Sequence, residues 1–284
     1  MIHYGDLPKP YCEFETSKVA IVPVPYDGTS TWIKGADKGP KALLDASANM
    51  EIYDIETDTE VYKIGIYTDK PITEDSSPEA MVQAVKERTL SLIDKGKFTV
   101  IIGGEHSVSI GTIQAHAQKY KKLSVLQIDA HTDLRDSYEG SKNNHACVMA
   151  RAKELCPIVQ VGIRSMDSGE KANLDPNRVF WAHKIVNCDD WMDQAIDLLT
   201  ENVYLTIDLD GFDPSILPST GTPEPGGLMW YPTLKFLKKV IEKRNLVGFD
   251  IVELCPNTDD KASDFLAAKL LYKILTYKFL YQLK

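Results

Sequence analysis

LSVLQIDAHTD, Leu123 to Asp133, is an apolar run that ends by releasing Asp129, His131 and Asp133 at alternate positions. A short apolar segment of this kind reads as a buried strand. Two further runs end in the same way. Phe98 to Ile102 leads into Gly103-Gly104-Glu105-His106-Ser107, and Val203 to Ile207 leads into Asp208-Leu209-Asp210-Gly211-Phe212-Asp213-Pro214. In parallel α/β sheets, ligands bind at the carboxyl ends of strands. Charged groups are costly to bury there unless they hold a metal or do chemistry. The three clusters together predict a metalloenzyme.

The rest of the chain supplies the frame. Val19 to Pro23, Ile158 to Gly162 and Leu246 to Val252 read as further strands, and Val61 to Ile66 as a weaker one. Helices are expected from Pro78 to about Lys95, Ser107 to Tyr120, Ala146 to Leu155, Trp191 to Asn202 and Pro232 to Arg244. Ser77-Pro78-Glu79 and Gly96 give the first of these a clear start and stop. Such alternation predicts a mostly parallel sheet with helices on both faces. With no repeat, linker or low-complexity tract, a single domain over residues 1–284 is expected. Two long loops, Leu134 to Asn144 and Gly211 to Tyr231, begin at the acidic clusters and should wall the site.

Composition narrows the class. The chain has 43% hydrophobic and 9% aromatic residues, enough for a substantial core, and a net charge of −9. That charge disfavours a nucleic-acid binder and is compatible with a cationic substrate. The five cysteines form no CxxC pair, which suggests reduced thiols in the cytoplasm. Cys147 lacks an evident base and reads as a packing residue. The start of the chain, through Thr16, is polar and proline-broken, unlike a secretory signal. The C-terminal run from Phe265 to Leu283 is interrupted by Lys269, Lys273 and Lys278, so it suits an amphipathic helix better than a membrane span.

In an extended chain, Asp129, His131 and Asp133 share one side, as do Asp208 and Asp210. With His106 they make two imidazoles and four carboxylates. One divalent ion would be over-supplied; two balance the four negative charges and leave room for a bridging hydroxide, with the metals roughly 3.5 Å apart. Oxygen-rich ligation without thiolate favours manganese over zinc or copper. One zinc, as in a deacetylase on a related sheet, would not need both the early His106 and the second-cluster Asp210.

These motifs resemble the ureohydrolase (arginase/agmatinase) family. GGEHS, DAHTD and DLDGFDP match its metal motifs in order, and PVPYDGTSTWIKGADKGPKAL (23–43), VGIRSM (161–166), TGTPEPGGL (220–228) and FDIVEL (249–254) extend the likeness over most of the chain. The resemblance implies a three-layer α/β/α sandwich and two Mn2+ per chain. It gives His106, Asp129, Asp133 and Asp208 to one ion, and Asp129, His131, Asp208 and Asp210 to the other. It implies hydrolysis of a guanidinium group with release of urea. Glu253 would orient that group, Asp133 would hold the hydroxide, and His145 would shuttle a proton to the leaving amine as a general acid titrating near working pH. Thr222 would support the guanidinium or the Glu253 carboxylate, and Arg164 would brace the sheet end. His3, His116 and His183 match no motif.

Arg135 and SKNN depart from the arginase pattern, whereas DAHTDLRDSYEG…HACVM with TGTPEPGG is similar to agmatinase. The expected substrate is agmatine, with Asp136 and Glu139 among the acids drawing its free amine. Arginase and guanidinobutyrase activities are the alternatives, and a non-catalytic metal-binding regulator is the alternative of another class. The resemblance also implies a trimer or hexamer, and no membrane partner is expected.

Overall fold

The computed structural model describes residues 2–186 and 188–283; Met1, Asn187 and Lys284 lie outside them. Eight strands form one wholly parallel sheet: β1 (Val19–Val24), β2 (Ile66–Thr68), β3 (Phe98–Gly103), β4 (Leu123–Ile128), β5 (Ile158–Ile163), β6 (Val179–Trp181), β7 (Asn202–Asp208) and β8 (Asn245–Val252). Their order across the sheet is β2-β1-β3-β8-β7-β4-β5-β6. The chain runs outward from β1 to one edge and from β4 to the other. The strands from β3 to β4 across the centre of the sheet therefore open a crevice at their carboxyl ends.

Alternate side chains of each strand feed two separate cores. Val19, Ile21, Ile102, Ile128, Ile207 and Ile251 pack with α1 (Gly39–Ser47), α6 (Asp190–Asp197), α7 (Trp230–Lys243) and α8 (Ala262–Leu283). Ala20, Val22, Ile101, Val125 and Tyr204 face the other way, against α2 (Pro78–Asp94), α3 (Val108–Lys119) and α4 (Val148–Lys153). This is the expected three-layer sandwich. Ser77 caps α2, its hydroxyl accepting from Ala80 N at 3.1 Å, and Pro78 fills the first helical position.

Several expectations need correction. Val61–Ile64 forms a 3-10 turn rather than a strand, and Gly65, at φ 82°, lets the chain turn into the three-residue β2. α1, β6 and the short helix α5 (Ala182–Ile185) were not anticipated, each being too short for a periodic signal. The Ala146 segment begins as a 3-10 turn at His145 and becomes α-helical only at Val148. α8 is not simply amphipathic: Ala267, Tyr272, Lys273, Thr276 and Tyr277 are buried along with the leucines. Lys273 is tolerated because its Nζ reaches Asp54 Oδ2 at 2.8 Å and Glu56 Oε2 at 2.6 Å. No helix among the described residues is long and apolar enough to cross a membrane.

His116, on α3, is wholly buried. Its Nδ1 donates to Thr112 O at 2.8 Å, which leaves Nε2 to face Thr99 Oγ1 at 3.1 Å. The ring fits because β8 carries Gly248 opposite, where a β-carbon would come within 2.4 Å of Nε2. Burial pushes the imidazole down to about 4. An unfolded chain binds that proton near pH 6.5, so stability should drain as pH falls from about 6.5 to 4, by on the order of 3 kcal/mol. Urea titrations across this window should show that slope in the wild type. His116→Gln should flatten it while lowering stability at neutral pH; an unchanged slope would assign it to other groups.

Candidate active site

The four central strands each end on the site. β3 delivers His106, β8 Glu253, β7 Asp208 and Asp210, and β4 Asp129, His131 and Asp133. The GGEHS turn can pass close to β1 only because residue 104 is glycine: a β-carbon there would lie 2.0 Å from the Tyr26 carbonyl oxygen. Asp133 and Glu253 both take left-handed backbone, φ 51° and 65°, uncommon for non-glycine residues. Such conformations persist where the surroundings impose them. Here the Asp133 carbonyl accepts from Met149 and Ala150 N at 3.0 and 3.1 Å, and Glu253 N donates to Gly104 O at 2.7 Å.

The predicted ligands converge into two groups that share Asp129. His106, Asp129 and Asp208 form one, and Asp129, His131 and Asp210 the other, with the ligand atoms of each within 4.8 Å of one another. His106 Nδ1 lies 2.9 Å from Asp133 Oδ2 and 3.2 Å from oxygens of Asp129 and Asp208. Yet Nδ1 makes no directed hydrogen bond. Its partner nitrogen explains why. Nε2 lies 2.9 Å from Thr206 Oγ1, whose own proton goes to Asp250 Oδ1 at 2.6 Å, so Nε2 carries the ring proton. In the neutral ring a nitrogen lone pair is thereby aimed among three carboxylate oxygens, an arrangement that a cation between them, or in its place a second ring proton, would relieve.

The electrostatics agree. Burial and the neighbouring Asp129 push Asp133 up to about 7; burial, Asp210 and Asp129 push Asp208 well above its usual range. Burial, which lowers a histidine, is outweighed at His106 and His131 by the surrounding aspartates, and both imidazoles are raised. Asp129 moves the other way, because bonding to the two imidazoles outweighs its burial. Negative charge is in excess here, and protons and divalent cations compete for the same positions. The residues therefore fit a pair of divalent cations, with Asp129 as the shared ligand.

Supporting residues fix each ligand. Gln127 Nε2 donates to Asp129 Oδ2 at 2.6 Å, Ala130 N to Asp210 Oδ1 at 3.1 Å, and Asp210 N to Asp208 Oδ1 at 2.9 Å. Arg164 braces the sheet end as expected, donating to the carbonyls of Gly162, Asp210, Gly211, Phe212 and Glu224. Thr222 lines the cavity, and its hydroxyl donates to Asp210 Oδ2 at 3.2 Å rather than to Glu253. Glu253 Oε1 instead accepts from His106 N at 2.7 Å. Burial and the nearby Glu105 push the Glu253 carboxyl well up. Cys147 is fully buried and its thiol is pushed up to about 11 by burial and by Asp133, which suits packing.

A cavity of about 350 Å³ stands over the centre, with His106, His131, Asp133, Asp208, Asp210 and Glu253 at its floor. His145 and Thr222 also line it. Burial, then the charge of His106, push the His145 imidazole down to about 4, which leaves the resting ring neutral. Asp136 and Glu139 do not line this cavity. Asp136 Oδ1 is taken by Arg151 at 2.9 Å, and Glu139 turns outward in a left-handed corner. The acids that do reach the mouth are Asp167 and Glu170, beside Arg135 at 3.6 and 3.8 Å. Trp32, 75% exposed, stands at the rim. Thr29, Trp32, Asp167 and Glu170 carried no site signal of their own in the sequence, because none follows a strand end in a ligand-like spacing; Glu105 lies within the GGEHS cluster, but its neighbour His106 drew the reading.

The arginase family model matches residues 17–276. The chain belongs to the arginase family. Within it, the chain is 40% identical to an N(1)-aminopropylagmatine ureohydrolase of Synechocystis sp., over 95% of this chain and 94% of that one. It is 32% identical to an agmatinase of Pyrococcus horikoshii, over 95% of each. The structure of an agmatine ureohydrolase of Thermoplasma volcanium superposes with a TM-score of 0.88 at 30% identity, covering 99% of this chain and 96% of that one. This member of the arginase family is a ureohydrolase, an enzyme of the agmatinase-like branch.

Because Asp129 is shared, Asp129→Asn should abolish loading of both metal positions, whereas Asp210→Asn should spare one. Metal analysis of purified protein after manganese dialysis distinguishes them; equal loss in both would contradict the sharing. Loading should also weaken as pH drops from about 8 to 6, since Asp133, raised to about 7, must give up its proton to ligate. Isothermal titration in two buffers of different ionisation enthalpy would register the released protons.

Proposed function

We propose that this ureohydrolase removes urea from a linear guanidino-alkylamine, agmatine or its N1-aminopropyl extension, at a centre holding two Mn2+. One observation carries the reading: two His/Asp groups sharing Asp129 lie beside Glu253 on the floor of a single cavity. His106, Asp129, Asp133 and Asp208 would hold one ion, and Asp129, His131, Asp208 and Asp210 the other. When bound, the ions supply the acidification of water that makes a nucleophile available near neutral pH.

The chain's own residues do the rest. Glu253, held by His106 N, faces the planar cation with a free carboxylate edge, a paired-oxygen partner for a guanidinium. Water adds to the guanidinium carbon, the bond to the alkyl nitrogen breaks, and both of the water's protons end on the departing nitrogen, which leaves as an alkylammonium beside neutral urea. Asp133 sits where it can hold that water. His145, neutral at rest, takes a proton and passes it on, worth about 10²–10⁴ in rate for a well-placed group. His145→Ala should retain both metals while kcat falls in that range; loss of metal instead would remove His145 from the proton path.

The mouth favours a cationic tail over an α-amino acid. Asp167 and Glu170 outnumber Arg135, which is also occupied over the Tyr138 ring at 4.5 Å. The open indole of Trp32 offers a further ammonium a cation–π face. The stronger likeness to the aminopropylagmatine ureohydrolase favours the longer amine. Urea release from aminopropylagmatine, agmatine, arginine and guanidinobutyrate, side by side, tests this. Aminopropylagmatine should give the highest kcat/KM, and Trp32→Ala should raise its KM about fivefold, a cation–π contact of about 1 kcal/mol, with agmatine nearly unaffected. Preference for arginine or guanidinobutyrate would refute the cationic-tail reading.

A further inference from the structure

Glu105 is a fully buried acid one residue before His106, yet it is not among the residues lining the cavity over the site and belongs to neither of the two His/Asp groups found among the described residues. Each of its oxygens faces a hydroxyl: Oε1 is bonded by Ser107 Oγ, and Oε2 by Thr29 Oγ1. Thr29 is itself buried, on the loop after β1 that crosses the GGEHS turn. Its oxygen also meets His145 twice, at 3.0 Å from the backbone N and 3.2 Å from ring Nδ1.

We propose that Glu105, acting through the Thr29 hydroxyl, fixes the orientation and tautomer of the His145 ring. The inference rests on the shuttle role given to His145 above. A threonine hydroxyl has one proton and two lone pairs. With the proton directed to Glu105, both lone pairs accept, one from His145 N–H and one from Nδ1–H. The neutral ring then carries its hydrogen on Nδ1, and Nε2 is the atom that takes up and releases the transferred proton. The same hydroxyl grips backbone and ring, so the imidazole is pinned at two points. When the ring is doubly protonated, Glu105 Oε2 lies 3.7 Å from Nδ1 and balances the charge. The division of labour is that of a buried carboxylate orienting a catalytic imidazole, with a hydroxyl interposed. Glu105 and Thr29 are positioning residues, and neither touches the substrate.

The test is a double-mutant cycle on manganese-loaded enzyme, using whichever substrate above turns over fastest. Thr29→Val should lower kcat about tenfold, with KM within about twofold and metal content unchanged. Thr29→Ser, which keeps the hydroxyl, should recover most of that loss. In a His145→Ala background, Thr29→Val should cost nothing further, because the residue it positions is gone. Thr29→Ala must show the same non-additivity, which covers a failure of the valine variant to fold. Losses that multiply independently, or a Thr29→Val enzyme as fast as wild type while His145→Ala is slow, would overturn the inference. A His145→Ala enzyme as fast as wild type would instead overturn the shuttle reading on which it stands.

Discussion

Four aspartates and a glutamate are held at the ends of adjacent strands, and their mutual repulsion organises everything around them. Inside a protein such charges interact far more strongly than in water. The fold answers with imidazoles at His106 and His131, with backbone N–H groups on Asp208, Asp210 and Glu253, and with Gln127 on Asp129. These do not neutralise the cluster, as the raised Asp133 and Asp208 show. The remaining negative charge suits the place to cations, and the proposed function puts metal ions at the floor and an organic cation above them.

Rigidity follows from position. Each of these side chains sits on the last residue of a strand buried on both faces or within five residues beyond it, and the strands are neighbours in the sheet. Small shifts of loop or helix leave such ends in place, which a centre with two shared metal positions requires. The left-handed backbone at Asp133 and Glu253 belongs to the same economy of space: the chain must turn sharply to present a carboxylate without leaving the crevice.

The sequence was most legible where chemistry and periodicity coincide. LSVLQIDAHTD carries both its strand and its ligands in one run, and the parallel sheet followed from repetition of that pattern. The short elements α1, β6 and α5 were hidden, since a few residues cannot display a period. The substrate mouth was misread because Asp136 and Glu139 are acidic and near in sequence, whereas Asp167 and Glu170 arrive from the far side of β5. Thr29 and Glu105 illustrate a different limit. A threonine and a glutamate 76 residues apart show no relation until folding joins them.

Arg164 adds an instructive detail. The ureohydrolase carries a guanidinium of its own close to the site, behind the Asp210 turn. Five backbone carbonyls accept from its nitrogens, and the residue does not border the cavity. Saturated in this way, the Arg164 guanidinium ties the ends of three chain segments together and offers no free face of its own.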